Sequence, residues 1–318
     1  QTYDVNVNVS SLVFITRAEL EKRLGDKADV GHTHTVADIT DCVEPSNPNL
    51  LTNPDFRVNQ RGMTEYSSGY SADRWFIEGN KCTVTAGADG VLIKSAIKLD
   101  SNAHVFWQKA ENPLAPGKYT LSLNVLEVSG VWSARIRTVN SSGDYADSYY
   151  TPVLHVGLTK VSVKLPEGEY ISAVSVGCNK DTEVGDSVKL AWVKLESGSL
   201  ATPFVPPDYA VELAKCQRYL LKLSQWSAYR AVHSNVNYME FAVPIPESMS
   251  ISPTIIGGDN FAVYKFPSPV AAESDFTFSV AAASANELRV RATKAGHGLS
   301  DAALHVVGAD GVFLSAEL

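Results

Sequence analysis

Residues 118–125, Lys-Tyr-Thr-Leu-Ser-Leu-Asn-Val, decide the fold. Apolar Tyr119, Leu121, Leu123 and Val125 alternate with polar Thr120, Ser122 and Asn124. A period of two puts each set on one face of an extended chain, so the stretch reads as a half-buried strand. Pro116-Gly117 marks a turn before it. Related runs return at Trp132–Arg137, Val161–Leu165 and Ser187–Leu195. Between them lie the turn signals Ser142-Gly143-Asp144, Glu167-Gly168-Glu169 and Val184-Gly185-Asp186. Short strands at this spacing, with few helical patterns, predict an antiparallel β-sandwich. Its zone spans 47–207, opened by NPNLLTNPDF (47–56) and closed by ATPFVPP (201–207), both rich in residues that punctuate elements.

Downstream, 208–318 repeats the pattern at Met239–Val243, Phe276–Val280 and Glu287–Arg291. Ala210–Leu223 has mixed character, and Cys216–Leu220 fits either helix or strand. Leu304–Gly308 and Val312–Leu318 flank Ala309-Asp310-Gly311, and Asp-Gly between apolar runs predicts a hairpin. This zone is expected to be a smaller β-sandwich-like domain, and the chain as a whole all-β.

The first zone, 1–46, holds one helix signal. Thr16 and Glu19 form a capping box, Ile15 and Leu20 are placed for a hydrophobic staple, and Gly25 is a stop. Leu20 and Leu24 lie one turn apart, and so short a helix barely forms alone in water. It needs a partner, and copies of itself are the simplest. Gly31-His32-Thr33-His34-Thr35 follows, placing two of the chain's seven histidines one residue apart. If extended, His32 and His34 share one face. One chain then offers two nitrogen ligands, too few for a closed metal site, so a solvated turn is the plainer reading.

The chain has 318 residues, enough for two or three domains, with 45% hydrophobic and 19% charged content typical of globular proteins. A net charge of −8 argues against nucleic acid as a partner, because phosphate binding needs clustered Lys and Arg. No apolar run is long enough to span a bilayer, so no membrane insertion is expected. No basic, apolar and small-residue pattern marks a secretory signal at its beginning. Its four cysteines, Cys42, Cys82, Cys178 and Cys216, are irregularly spaced and read as free, mostly buried thiols made in a reducing compartment. A Cys82–Cys178 disulfide has no support in the pattern.

Catalytic motifs are missing: no nucleophile elbow, zinc-protease helix, P-loop or Rossmann glycine pattern occurs. Asp144 and Asp147 could be named as a hydrolytic pair, but solvation in a turn-rich loop explains them better. The chain is therefore read as no enzyme. Trp75 and Trp107 lie in apolar runs and are expected in the core, as is Trp132, which shares a strand face with Ala134 and Ile136. Opposite lie Ser133, Arg135 and Arg137, a polar face able to meet a hydroxyl-rich ligand. Tyr149 and Tyr150 could stack on a sugar ring. Trp226, Tyr229 and His233 make a second polar-aromatic candidate, against which stands an ordinary solvated surface.

Four stretches carry a resemblance. KADVGHTHTVADITD (27–41) looks like junctions in trimeric bacteriophage tail fibres and related virion appendages. NLLTNPDFRVNQRG (49–62) with SADRW (71–75), and the run from Trp192 to Leu220, resemble modules recurring in phage fibre proteins. There the first opens, and the second closes, a jelly-roll, carbohydrate-binding-module-like domain. GADGVFLSAEL (308–318) is similar to the last strand of such fibres. The resemblance implies a homotrimer, joined through 1–46 and attached by it to other virion proteins. It implies a receptor-binding role, host attachment through bacterial surface carbohydrate, a mature location on the virion, and synthesis in the bacterial cytoplasm.

It further implies that three copies of His32 and His34 surround one axial transition-metal ion. Six imidazoles suit iron, nickel or zinc better than calcium or magnesium. Thr33 and Thr35 would face the neighbouring chain. Domains of this kind often hold a structural calcium near their ends, where Asp55 and Glu196 fall, without either being fixed as a ligand. Three alternatives stay open. They are a secreted bacterial accessory carbohydrate-binding protein, a structural head or neck fibre without ligand, and a polysaccharide depolymerase fibre.

Overall fold

Two six-stranded antiparallel sheets stack face to face between Glu65 and Ser197. The computed structural model describes residues 46–99, 103–177, 182–265 and 272–317. The capped helix after Thr16, the histidines His32 and His34, and Cys42 and Cys178 lie outside the described residues. Residues 46–318 belong to one compact unit.

The first strands are β1 (Glu65–Tyr66), β2 (Gly69–Tyr70), β3 (Phe76–Ile77), β4 (Cys82–Gly87), β5 (Gly90–Ser95) and β6 (His104–Leu114). Then come β7 (Lys118–Val128), β8 (Ser133–Val139), β9 (Tyr145–Tyr150), β10 (Gly157–Lys164), β11 (Tyr170–Gly177) and β12 (Ser187–Ser197). One sheet runs β1-β4-β5-β12-β7-β10, the other β2-β3-β6-β11-β8-β9. From β5 onward the chain passes back and forth between the sheets, so strands adjacent in space are rarely adjacent in sequence. That is the architecture of a jelly roll.

The alternation read at 118–125 is β7, with Leu121, Leu123 and Val125 buried in the interior. Val188, Leu190, Val193 and Leu195 of β12 continue that layer. Val105, Phe106, Ala134, Ile136, Val174 and Val176 face it from the other sheet. Trp75 stacks on Phe106 with centroids 5.0 Å apart, and Phe56 packs on Trp75 at 5.1 Å. Trp75 and Trp132 are core residues, as expected, each with its indole N–H donated to a backbone carbonyl.

A short helix, α1 (Tyr209–Gln217), follows Pro206-Pro207. Asp208 caps it by accepting from the N–H groups of Ala210 and Val211 at 2.9 and 3.1 Å. The mixed 216–220 stretch divides accordingly: Cys216 belongs to the helix and Leu220 opens a strand. The next five strands are β13 (Leu220–Leu223), β14 (Ala228–Ser234), β15 (Tyr238–Pro244), β16 (Thr254–Ile256) and β17 (Phe261–Lys265). The last five are β18 (Ala272–Glu273), β19 (Thr277–Ala283), β20 (Glu287–Thr293), β21 (Ala302–Val306) and β22 (Val312–Ser315). They form the sheets β13-β22-β16 and β18-β17-β21-β14-β15-β20-β19 around a second core containing Met239, Phe241, Leu288, Val290, Leu304 and Leu314.

Two expectations about local chemistry can be compared with the structure. Asp310-Gly311 does form a turn, but the expected hairpin is corrected, because β21 and β22 lie in different sheets. Leu314 pairs with Leu221 and Ile255 instead, completing the three-stranded sheet. The turn is a corner between layers, held where Asn260 Nδ2 donates to the Gly311 carbonyl at 2.7 Å. Cys82 and Cys216 are free and buried, as read, so Cys82 is not disulfide-bonded.

Among the described residues, the stretches 49–62, 71–75, 192–220 and 308–317 supply contacts of the joint between the two halves. Asn53, at φ 52°, donates its side-chain amide to the carbonyls of Val58 and Asp73, while Glu212 of α1 accepts from its backbone N–H. Gln60 donates to the Leu220 carbonyl and to Asp73. Arg61 pairs with Glu317, and the Arg74 guanidinium lies 3.6 Å over the Tyr219 ring. Arg218 and the Tyr219 hydroxyl both reach Glu111. These contacts bolt β13 and the end of the chain to the β6 side of the first sandwich.

Candidate functional site

The outer face of the sheet β2-β3-β6-β11-β8-β9 carries a row of side chains set by register. Phe76 of β3 opposes Trp107 of β6, Trp107 opposes Ser175 of β11, Ser175 opposes Arg135 of β8, and Arg135 opposes Tyr150 of β9. Beside it runs a second row, Lys109, Ala173, Arg137 and Ser148. The middle of both rows, Trp107, Ser175, Arg135, Lys109, Ala173 and Arg137, floors a groove of about 250 Å³, with Glu78 and His104 at its side. Lys109 and Ala173 also border an adjoining hollow of about 280 Å³ that reaches Glu111 and Tyr219. The depression is thus elongated along the sheet.

One end of the face is aromatic. Tyr70 meets Phe76 edge-on at 5.1 Å, and Phe76 meets Trp107 at 4.8 Å. Lys109 Nζ lies 5.0 Å above the Trp107 ring. The expectation that Trp107 belongs to the core is corrected: it is half-buried and lines the groove. Its Nε1 is buried and has no hydrogen-bond partner.

A β-bulge explains how His104 joins it. Strict alternation would place His104 and Trp107, three residues apart, on opposite faces. The register instead jumps between Val176 opposite Phe106 and Gly177 opposite His104, leaving Val105 as the extra residue. Val105 and Phe106 both turn inward, and His104 emerges on the Trp107 side. Gly177 makes the bulge possible, since a Cβ there would meet the Ala103 carbonyl oxygen at 2.0 Å.

The polar end is wired. Arg135 Nε donates to Ser175 Oγ at 3.2 Å, and Ser175 Oγ lies 2.9 Å from His104 Nδ1. In the simplest proton arrangement the hydroxyl donates on to Nδ1, leaving the imidazole proton on Nε2. Burial and the positive charges of Arg135, Arg137 and Lys81 hold His104 far below its ordinary value, at about 3, so the ring is neutral at physiological pH. His104 Nε2 is buried and unpartnered, like Trp107 Nε1. Both residues line the groove, and neither nitrogen has a hydrogen-bond partner among the described residues, whereas nearly all buried polar groups of a folded protein are paired.

Of the residues singled out from the sequence, the structure brings Arg135, Arg137 and Tyr150 to this face. Tyr149 is separated from them: it opposes Ile136, packs against the first core, and its hydroxyl bonds Glu169 at 3.0 Å. Adjacent strand residues point to opposite faces, so Tyr149 and Tyr150 do not form a pair. In the second half, Trp226 is 76% exposed at φ 71°, Tyr229 packs against the second core, and His233 lies against Tyr238. The structure turns these three to different partners. Sequence reading missed His104, Trp107, Lys109 and Ser175. The signal available was the broken alternation of Val105-Phe106-Trp107, two inward residues in succession followed by an outward one.

The expected edges for a structural calcium hold something else. Asp55 pairs with Arg57 at 2.5 Å. Glu196 is fully buried, accepts from the Thr202 N–H and hydroxyl, and lies 3.3 Å from the Lys194 ammonium. Lys194 Nζ also donates to Ser46 Oγ, Thr202 Oγ1 and the Pro203 carbonyl at 2.7–3.0 Å. An ammonium stands among the oxygens, so this donor set does not fit a calcium ion. Among the described residues no group of three His, Cys, Asp or Glu side chains could hold a metal. Nor among them is there a helix long and apolar enough to cross a membrane.

Comparison with known proteins adds the following. The family model "Phage tail repeat like" matches residues 15–49. No curated protein matches the sequence. Among solved structures, a protein from Bacteroides thetaiotaomicron described as a candidate sugar binding protein aligns at 16% identity and a TM-score of 0.30, covering 48% of this chain and all of that one. The tandem CBM22 domains of Paenibacillus barcinonensis Xyn10C align at 11% identity and a TM-score of 0.30, covering 87% and 98%. The CBM22-1 and GH10 modules of the Clostridium thermocellum xylanase 10B align at 12% and 0.34, covering 51% of this chain and 30% of that one. These are distant likenesses.

Proposed function

We propose that this chain is a bacteriophage fibre protein that attaches to bacterial surface glycan as a homotrimer, holding the sugar in the groove of its first sandwich. The observation that carries the glycan reading is the pair of buried, unpartnered donors, His104 Nε2 and Trp107 Nε1, beside the Tyr70-Phe76-Trp107 aromatic strip. A sugar ring has an apolar face that stacks on an indole and a rim of oxygens that accept N–H donors. The elongated groove suits a chain of such rings. Glycoside hydrolysis ordinarily takes two carboxylates. Glu78 is the one carboxylate lining the stretch of groove beside Trp107 and Arg135, and Glu111, in the adjoining hollow, is already engaged by Arg218 and the Tyr219 hydroxyl. The groove is read as one that holds glycan without cutting it.

The virion reading rests on the phage tail repeat match, which falls on the segment with the capping box and His32–His34. That segment is assigned to trimerisation and to contact with other virion proteins, its histidines supplying nitrogen ligands to an axial transition-metal ion. Three modest sites on one particle then gain avidity without any tight single contact.

Two measurements test this. Trp107→Ala in the full chain is expected to abolish binding to host cells while leaving the assembly intact; undiminished binding would remove the groove from the function. Light scattering should give three times 34.3 kDa. Loss of that mass in the His32→Ala/His34→Ala variant or on chelation would make the metal structural, and a monomeric wild type would end the trimer reading.

A further inference from the structure

The groove is lined by groups that give hydrogen bonds rather than receive them. Lys109, Arg135 and Arg137 bring three positive charges, and His104 and Trp107 line the groove with ring nitrogens that have no hydrogen-bond partner among the described residues. On the accepting side stand Glu78, which already pairs with Lys81 at 3.2 Å, and Ser175 Oγ, which already receives Arg135 Nε. Ser172 contributes a hydroxyl donated to the Arg137 carbonyl at 3.2 Å.

None of the three cations is paired with a carboxylate among the described residues. Arg135 is half-buried and touches neutral groups, Ser175 and Tyr150. Arg137 lies over the Tyr145 ring at 5.6 Å, and Lys109 over Trp107. This happens on a chain with eight more acidic than basic residues, 35 against 27. Several cations elsewhere on it meet acids, as Arg61 does with Glu317, Arg218 with Glu111 and Arg291 with Glu240, whereas the groove gathers three on one face with no such partner among the described residues. Concentrating unpaired positive charge on one face of an acidic protein raises the free energy of that face unless an anion completes it.

Hydroxyls of a neutral sugar both give and accept, and a groove of donors satisfies only half of them. A carboxylate accepts without donating, and it takes charge-assisted bonds from guanidinium groups. We infer that the glycan held here is acidic, a uronic-acid-containing chain whose carboxylates lie against Arg135, Arg137 and Lys109 while its rings lie on Trp107 and Phe76. This rests on the groove being the sugar site and adds the charge class of the sugar.

The test uses the full chain in titration calorimetry at 20 mM and 150 mM NaCl. The probes are hexamers of galacturonate, of mannuronate and of hyaluronan repeats, each beside its carboxyl-reduced counterpart, which keeps the ring and loses the charge. The expected result is at least tenfold tighter binding of one acid probe than of its reduced form, weakened by salt. Arg137→Gln and Lys109→Gln, both at exposed positions, should each narrow that ratio several-fold, and Trp107→Ala should remove binding of both forms. Equal binding of acid and reduced probes, lost in Trp107→Ala, would overturn the acidic assignment and leave the groove as a neutral-sugar site. Binding indifferent to Trp107→Ala, or none to any probe at millimolar concentration, would overturn both.

Discussion

The joint between the two sandwiches and the groove on the first are built from the same residue types and reach opposite outcomes. At the joint, Arg61 faces Asp73 and Glu317, Arg74 covers Tyr219, and Gln60 and Asn53 tie loops to carbonyls. Each of these side chains has found a partner inside the chain, even where a single atom such as Arg74 Nε or Glu317 Oε1 is left over. On the groove, among the described residues, Arg135, Arg137 and Lys109 have no acid partner and the Trp107 N–H has no acceptor. Internal satisfaction fixes one domain against another; a face left unsatisfied keeps bonding capacity for something outside. The difference separates arginines engaged inside the chain from those left for the proposed glycan.

The sharpest way to break this contrast is to exchange the readouts. Arg61→Ala leaves two buried carboxylates facing each other at the joint, and removing one member of such a network costs about 3 kcal/mol. The expected outcome is a clear drop in the midpoint of denaturant unfolding, with the folded fraction still binding glycan normally. Trp107→Ala should do the reverse. Loss of a stacking platform costs about 1–3 kcal/mol of binding, by analogy with stacked bases, while unfolding moves little because Trp107 is only half-buried. Were Arg61→Ala to weaken glycan binding of the folded protein as much as Trp107→Ala, joint and groove would be one coupled site rather than two regions.

How much of each region could be read from the sequence follows from the same contrast. The joint is local chemistry written in compact stretches: Asn53-Pro54-Asp55-Phe56 makes its own turn, Asp208 caps its own helix, and Asp73-Arg74-Trp75 place charge and core side by side. Alternation at Lys118–Val125 and its echoes sufficed for the sandwich. The groove, in contrast, is assembled chiefly from β6, β8 and β11, which neighbour each other in the sheet but not in sequence, and nothing local announces that Trp107 will stand near Arg135. Arg135 and Arg137 were accessible because they alternate with Ala134 and Ile136 on one strand. His104 was not, because its face depends on a bulge against Gly177, which lies far along the chain. Tyr149 was misjudged for the plain reason that neighbouring strand residues diverge. The Asp310-Gly311 corner misled because a turn signal reports the turn and not which sheet the next strand joins.

The bulge itself can be tested. Gly177→Ala drives a methyl into the backbone at Ala103 and His104. Overpacking of this kind costs about 1–3 kcal/mol, and the relief available is a register change that rotates His104 out of the groove. Both stability and glycan affinity should fall, making this the one substitution expected to move the two readouts together. An unchanged affinity would mean that His104 contributes nothing to binding.

The finest distinction comes from pH, because the two regions carry their burial differently. At the joint, burial raises the Asp73 carboxyl from 3.8 to about 6 and that of Glu317 from 4.5 to about 7, outweighing Arg61 in both cases. Arg74, Tyr66, Tyr70 and Cys216 also face this pair, and Glu212 acts on Cys216. Burial pushes the Tyr70 hydroxyl up to about 12 and drives the Cys216 thiol upward too, so neither loses its proton between pH 5 and 8. Raised carboxyl values mean that the folded state takes up protons before the unfolded state does. Stability should therefore increase as pH falls from 8 through 7 and 6, level off near the unfolded values around 4, and be lowest above 7. A tenfold difference in proton affinity between the two states corresponds to about 1.4 kcal/mol, so a gain of roughly 4 kcal/mol between about pH 8 and pH 5 is expected from the pair. The same protonation removes the charge that Arg61 balances, so the penalty of Arg61→Ala should shrink over that interval. His104 behaves otherwise: its value of about 3 lies below this window, so the imidazole stays neutral from pH 8 to pH 5. Unfolding measured at pH 8, 6.5 and 5 should thus show a joint that tightens while glycan affinity stays flat. A parallel change in affinity would mean that the groove feels the joint's protons, and that the contact of Arg74 with the Lys109 carbonyl at 2.7 Å, which links the two regions, transmits them.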